Sequence, residues 1–409
     1  MKRQSEFGFV IALAVLSQAL PAQESKVDGS PLYRLLQIVE LSTVQEKINE
    51  TAAEGYRLVG AVPAPGGTWA AIMERVEEPS QPYKYLLLAR KRDSDFQGRI
   101  NEVASQGFRL LPRYIAQGIT QPPQFDVAWM EKPAVPPAET QYLLIPFGVR
   151  MAAKASLNPV LWADTNPLHY IRPQINDALR QGFKIERIVP GAVVVMERSR
   201  SSAGEGAGAK NPVSDPDPLS RYHTLGHYQA GKLQRRLQQE AMGGYHLFDF
   251  APYAPKMWTA AALEKDESGL SASSPAKYSY AAFASKLAAL EEDLNSHAAG
   301  GYRLFPQSLL GAFQPQVHPA NPPRCLAVME KTPGVPRGFQ YRVLAAPRLS
   351  DLSAELEKAA AGGFRALGIV SFDQSLAVVM EKPETESRSE RGSRTHDARW
   401  EGRRPATPG

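Results

Sequence analysis

One short phrase recurs six times along this chain: a helical stretch, then Gly, an aromatic residue and a basic residue. The copies are Gly55-Tyr56-Arg57, Gly107-Phe108-Arg109, Gly182-Phe183-Lys184, Gly244-Tyr245-His246, Gly301-Tyr302-Arg303 and Gly363-Phe364-Arg365. Between 15 and 29 residues after each glycine, an apolar run ends in Glu-Lys or Glu-Arg. The glutamates of these pairs are Glu74, Glu131, Glu197, Glu264, Glu330 and Glu381. Self-similarity at such a period means that one supersecondary unit is stacked on copies of itself.

The sixth copy shows how a unit is built. Residues 341–346 are β-branched and aromatic enough for a first strand. Ser350 or Asp351 is positioned to cap a helix, and Leu352, Leu356, Ala359 and Ala360 give that helix one apolar face. Gly362 and Gly363 stop it, because glycine enters the left-handed region without a Cβ clash. Ala366 to Val370 reads as a second strand, Asp373-Gln374 as a turn, and Leu376 to Met380 as a third strand. The third strand is apolar at consecutive positions, which predicts a central strand covered on both faces. The expected fold class is α+β: six tandem β-α-β-β repeats, with helices on the outer faces of the sheets. A three-stranded sheet with one helix is a poor solitary domain, so neighbouring units must complete its core. The glutamates and basic residues at strand ends are read as structural partners, worth about 0.2–1 kcal/mol each and discouraging edge pairing.

Loop lengths carry a second level of pattern. From repeat Gly to terminal Glu the spacings are 19, 24 and 15 in copies one to three, and 20, 29 and 18 in copies four to six. Pro63 and Pro252, and Pro112 and Pro306, occupy matching places. This predicts two separately folded three-repeat halves, 31–198 (repeats about 32–76, 82–132 and 140–198) and 221–383 (repeats about 221–265, 277–331 and 339–382). Between them, 199–220 is rich in Gly, Ser and Pro and reads as a flexible linker. The stretch 384–409 reads as a disordered tail.

The unit resembles a small bacterial β-α-β-β domain family of unknown function. Ala53-Glu54-Gly55-Tyr56-Arg57-Leu58 and Val379-Met380-Glu381-Lys382 carry the likeness. Copy four departs from it with His246, and copy three with a long insertion. The resemblance implies a fold and no catalytic residues.

Residues 1–22 have the order of a secretory signal: Lys2 and Arg3, an apolar run from Phe7 to Leu16, then small residues with cleavage after Ala22 or Ala19. Cys325 is the only cysteine, so an exported chain would contain no internal disulfide. The expected location is periplasmic or extracellular, with no membrane span after signal removal. The net charge of +5 is scattered and paired with acids, with no basic stripe to suggest nucleic acid.

No catalytic, cofactor-binding or metal-binding set emerges. His223 and His227 are four apart, but on a strand that spacing separates them by about 13 Å. Cys325 precedes the apolar strand Leu326 to Met329 and reads as an ordinary core residue with no catalytic pattern around it, and no phosphate loop or nucleophile elbow is present. The insertion 148–173 holds Trp162, His169, Tyr170 and Arg172, a mixture suited to partner recognition. The expected function is that of an exported, non-enzymatic repeat protein that binds a protein or an envelope polymer. A hydrolase using the repeat-three insertion and a purely structural envelope module are the alternatives.

Overall fold

The computed structural model describes residues 31–39, 41–64, 68–76, 81–89, 95–117, 125–133, 139–146, 168, 171–189, 193–200, 217–227, 230–253, 258–265, 278–308, 310–313, 324–332, 338–372 and 375–384. The signal region, most of the 199–220 segment, Asp373-Gln374 and the 385–409 tail lie outside them. Among the described residues there are six α-helices and six small antiparallel sheets, a mixed α+β protein of repeated units.

Unit one contains β1 (Tyr33–Ile38), α1 (Leu41–Ala53), β2 (Tyr56–Pro63) and β3 (Trp69–Arg75). Unit two contains β4 (Lys84–Ala89), α2 (Phe96–Ser105), β5 (Arg109–Gln117) and β6 (Phe125–Lys132). Unit three contains β7 (Glu139–Pro146), α3 (Arg172–Arg180), β8 (Lys184–Val189) and β9 (Val193–Arg200). After a 3₁₀ turn at Pro218–Arg221, unit four contains β10 (Tyr222–His227), α4 (Ala230–Met242), β11 (Tyr245–Tyr253) and β12 (Trp258–Lys265). Unit five contains β13 (Ser279–Ser285), α5 (Leu287–Ala299), β14 (Arg303–Leu304), β15 (Leu310–Phe313) and β16 (Arg324–Lys331). Unit six contains β17 (Phe339–Ala346), α6 (Leu349–Ala361), β18 (Arg365–Phe372) and β19 (Ser375–Pro383).

In every sheet the last strand is the central one and pairs antiparallel with the others, two in five of the sheets and three in that of unit five. That position explains its composition. Residues 376–380 of β19 and 193–196 of β9 are all buried, as strands covered on both faces must be. Each Val, Leu, Ile or Met so placed contributes about 1.5–3 kcal/mol relative to exposure.

The repeat glycines end the helices. All six have positive φ, between 81° and 92°. At Gly363 (φ 84°) the two closing bonds run from Gly363 N to Ala360 O, 2.8 Å, and from Phe364 N to Ala359 O, 3.1 Å. These satisfy two carbonyls that the helix leaves open. The helix start differs from the sequence reading. α6 begins at Leu349 behind an extended Arg348 that makes no side-chain cap, so Ser350 lies inside the helix. Asp351 falls in the first turn, favourably placed near the positive end of the helix.

The buried clusters do not divide into two halves. One joins Ile48 and Met73 of unit one to Leu356, Ile369 and Met380 of unit six, and also includes Tyr85 and Trp129 of unit two. Others join units two and three, three and four, four and five, and five and six. Units of the two expected halves, 31–198 and 221–383, therefore share buried clusters. The sheet faces that the sequence marks as apolar are covered by the next unit, and the last unit covers the first. The joints are head-to-tail, and a head-to-tail contact whose rotation closes makes a ring. The 199–220 segment also differs from a pure linker at its end. Leu219 is buried in the cluster between units three and four, and its N–H donates to Asn176 Oδ1 at 2.8 Å.

Candidate functional site

The most elaborate polar geometry recurs at the joints, and its centre is a tyrosine on each first strand. Tyr85 of unit two donates its hydroxyl proton to Glu131 of its own sheet, 2.9 Å, and accepts the Leu58 N–H of unit one, also 2.9 Å. Tyr341 repeats this with Glu381 at 2.8 Å and the Leu304 N–H at 2.7 Å. Tyr33 repeats it with Glu74 at 3.1 Å and the Ala366 N–H at 2.9 Å, which closes unit six onto unit one. Tyr142 and Tyr280 accept Leu110 and Leu247 N–H at 2.9 and 2.8 Å and hydrogen-bond Glu197 and Glu330. Tyr222 donates to Glu264 at 3.0 Å.

Burial first, and the neighbouring carboxylate second, push the phenols of Tyr33, Tyr85, Tyr142, Tyr280 and Tyr341 far above the usual tyrosine range. Each therefore keeps its proton and donates it to the glutamate. The same oxygen's lone pairs satisfy an edge N–H of the preceding sheet.

The basic residue after the Gly-aromatic pair completes several joints. Arg57 of unit one reaches Glu131 of unit two, Nε to Oε2 3.3 Å. Arg303 reaches Glu381 at 2.8 Å, and Arg365 reaches Glu74 at 3.4 Å. Glu131 is fully buried and also receives Arg109 at 2.6 Å. Glu197 hydrogen-bonds Tyr142, and burial raises its carboxyl above the ordinary range.

The last basic residue of each unit has separate work. Lys331 Nζ donates to Gly300 O at 2.9 Å and Lys382 Nζ to Gly362 O at 2.8 Å, meeting carbonyls at helix ends. The same ammonium groups lie 5.8 Å from the Tyr302 ring centroid and 5.7 Å from that of Phe364. The Gly-aromatic and Glu-Lys phrases are thus two halves of one contact.

A third set of side chains seals the edge strands. Asn49 on α1 donates to Tyr85 O at 2.8 Å and accepts Tyr85 N–H at 2.7 Å, while Gln45 accepts Leu87 N–H at 2.7 Å. Four helical residues rise about 6 Å and two strand residues about 6.6 Å, so residues i and i+4 of a helix match alternate amides of a strand. The pairs Gln97/Asn101, Gln234/Gln238 and Glu291/Asn295 do the same for the next sheet. Glu357 of α6 accepts Tyr33 N–H at 3.0 Å, so the closing joint uses the same device. A shallow groove lined by Leu287, Glu291, Asn295 and Val343 is part of the joint between units five and six.

Of the recognition residues read from the repeat-three insertion, Trp162, His169 and Tyr170 lie outside the described residues. Arg172 is the first residue of α3, and its guanidinium donates to Asp217 at 2.6 Å ahead of unit four. His223 lies on strand β10, where α4 supplies an acid that the sequence did not place beside it: Nδ1 is 2.7 Å from Glu240 Oε2. His227 ends the same strand. Cys325 is buried, and burial pushes its thiol up to about 12, which keeps it a protonated core residue. Among the described residues no group of three or more His, Cys, Asp or Glu is arranged to hold a metal ion. No helix among them is long and apolar enough to cross a membrane.

The joint tyrosines were missed in the sequence reading, yet they left a signal. In five of six units a Tyr stands 21 or 22 residues before the repeat glycine. The helix amides four apart were a second signal.

The fold and these joints define an α+β protein of repeated sheet units whose recurring polar residues fasten one unit to the next. No protein-family model matches the chain, and no curated protein is significantly similar to it.

Proposed function

We propose that this chain is an exported, non-enzymatic repeat protein that serves as a binding or scaffold module for a protein or a cell-envelope polymer. The observation that carries the reading is the use made of the recurring ionisable residues. Tyr85, Glu131 and Arg57, and their counterparts Tyr341, Glu381 and Arg303, are engaged in one another across the joints. Groups held in this way give a rigid frame, and a rigid frame suits presentation of variable loops to a partner. The insertion 148–173 supplies the aromatic and basic residues for that contact. The units are read as copies of one β-α-β-β module, related to the small bacterial domain family they resemble and duplicated as a set of three. The signal-like order of residues 1–22 supports a location in the periplasm or outside the cell.

Co-sedimentation of the purified protein with cell-envelope fractions tests this reading, with Trp162→Ala and Tyr170→Ala as variants. Binding that weakens in either variant, without turnover on a hydrolase panel, supports it. Turnover that His169→Ala abolishes would replace it with the hydrolase alternative.

A further inference from the structure

The six joints can be compared with one another, and one of them carries histidine where the others carry Arg or Lys. At the joint between units one and two, the Arg57 guanidinium lies over the Tyr83 ring, 5.5 Å from its centroid, and bonds Glu131. Between units five and six, Arg303 lies over Phe339 at 4.8 Å and bonds Glu381. Between units four and five the same place belongs to His246. Its ring stacks on Tyr278 at 5.4 Å, and the next N–H, from Leu247, donates to Tyr280 as Leu58 does to Tyr85. Tyr280 hydrogen-bonds Glu330, the counterpart of Glu131 and Glu381. His246 Nδ1 is buried with no hydrogen-bond partner among the described residues, and Glu330 Oε1 takes the Thr332 hydroxyl at 2.7 Å.

We propose that His246 is a pH-sensitive latch between units four and five, supplying on protonation the cation that arginine supplies permanently at the matching joints. An imidazole changes charge within the physiological range, whereas a guanidinium does not. The other charged groups around it are committed elsewhere. Glu264, opposite His246 on β12, is held by Tyr222 and Arg221. Lys265 lies over Tyr245, and Asp249 on the same strand accepts Ile188 and Phe250 N–H. Arg303, opposite Glu330 on the sheet, is directed to Glu381. The sign follows from the partner gained. A histidinium paired with Glu330 adds stability at low pH, and that stability is lost as pH rises through the imidazole range. The joint between units four and five then loosens as the solution becomes neutral and alkaline, whereas the arginine joints do not.

NMR titration of His246 in the intact chain, alone and with Glu330→Gln, tests the pairing. If Glu330 is the group the histidinium pairs with, the midpoint should fall by about half a pH unit or more in the variant, because the paired charge is removed. An unchanged midpoint overturns the proposal. Urea unfolding at pH 5.5 and pH 8 gives a second reading with His246→Arg and His246→Gln. The wild type should approach the His246→Arg midpoint in acid and the His246→Gln midpoint in base. A constant offset from both variants across that range would also overturn it.

Discussion

The Tyr33 hydroxyl accepts the Ala366 N–H at 2.9 Å, joining the first described strand to the sixth sheet across 333 residues of sequence. The same hydroxyl donates to Glu74, and Glu74 receives Arg365 of unit six. Every element of the Tyr85 and Tyr341 joints is thus present where the chain returns to its start. Stability cannot be assigned to single units, because in five of the six sheets the helix of the preceding unit bonds the edge strand.

Removing one hydroxyl tests the joint directly. Tyr85→Phe leaves the Leu58 N–H and the Glu131 carboxylate without their buried partner, and should cost about 1–3 kcal/mol in chemical unfolding. An effect within experimental scatter of zero would show that water or a rearranged side chain replaces the hydroxyl.

The glutamates should not be equivalent. Glu131→Gln removes the charge that Arg57 and Arg109 share; since both arginines are partly exposed, the expected loss at pH 7 is about 1–3 kcal/mol. Glu197→Gln should cost less. The raised Glu197 pKa means that its charged form is disfavoured in the fold, so this penalty applies above the folded value and fades as pH falls towards the unfolded one. Wild type should therefore gain on Glu197→Gln as the solution is acidified. Unfolding curves at pH 4.5 and pH 7 measure both effects.

Two glycines should respond to alanine for different reasons. Gly55 has φ of 92° and open space at its Cβ position, so Gly55→Ala should cost about 1 kcal/mol through the backbone alone. A Cβ at Gly60 would meet Ile369 Cγ2 at 3.0 Å and Ile369 N at 3.3 Å across the closing joint. Gly60→Ala should cost about 1–3 kcal/mol by overpacking. Its hydrogen-exchange effect should reach Ile369, whereas that of Gly55→Ala should stay within unit one.

Amino-terminal sequencing of material secreted by the native host checks the export reading. The mature chain should begin at Gln23 or Leu20. Recovery of intact Met1 from the cytoplasm would contradict it.

What the sequence made legible was local. Gly363 marks a helix end because the left-handed position is a demand of its own backbone, and Leu376 to Met380 marks a central strand by its composition. Tyr33, Glu357 and Asn49 were not legible as a set, because each acts on a different unit from the one that carries it. Gln45 and Asn49 look like ordinary polar positions on a helix until the neighbouring edge strand is in place. The repeated spacing order in 31–198 and 221–383 suggested separate halves, and spacing within the sequence does not say which faces are shared between units. The insertion residues Trp162, His169 and Tyr170 remain a proposal from composition.

Ring closure is tested most directly by amide exchange at Ala366 in the wild type and in Tyr33→Phe. Closure predicts a protected Ala366 amide that exchanges roughly tenfold or more faster in the variant, equivalent to losing one buried hydrogen bond of about 1.4 kcal/mol, while the Leu304 amide held by Tyr341 changes little. An Ala366 amide that exchanges as an exposed one in the wild type, or that ignores Tyr33→Phe, would contradict the closed arrangement.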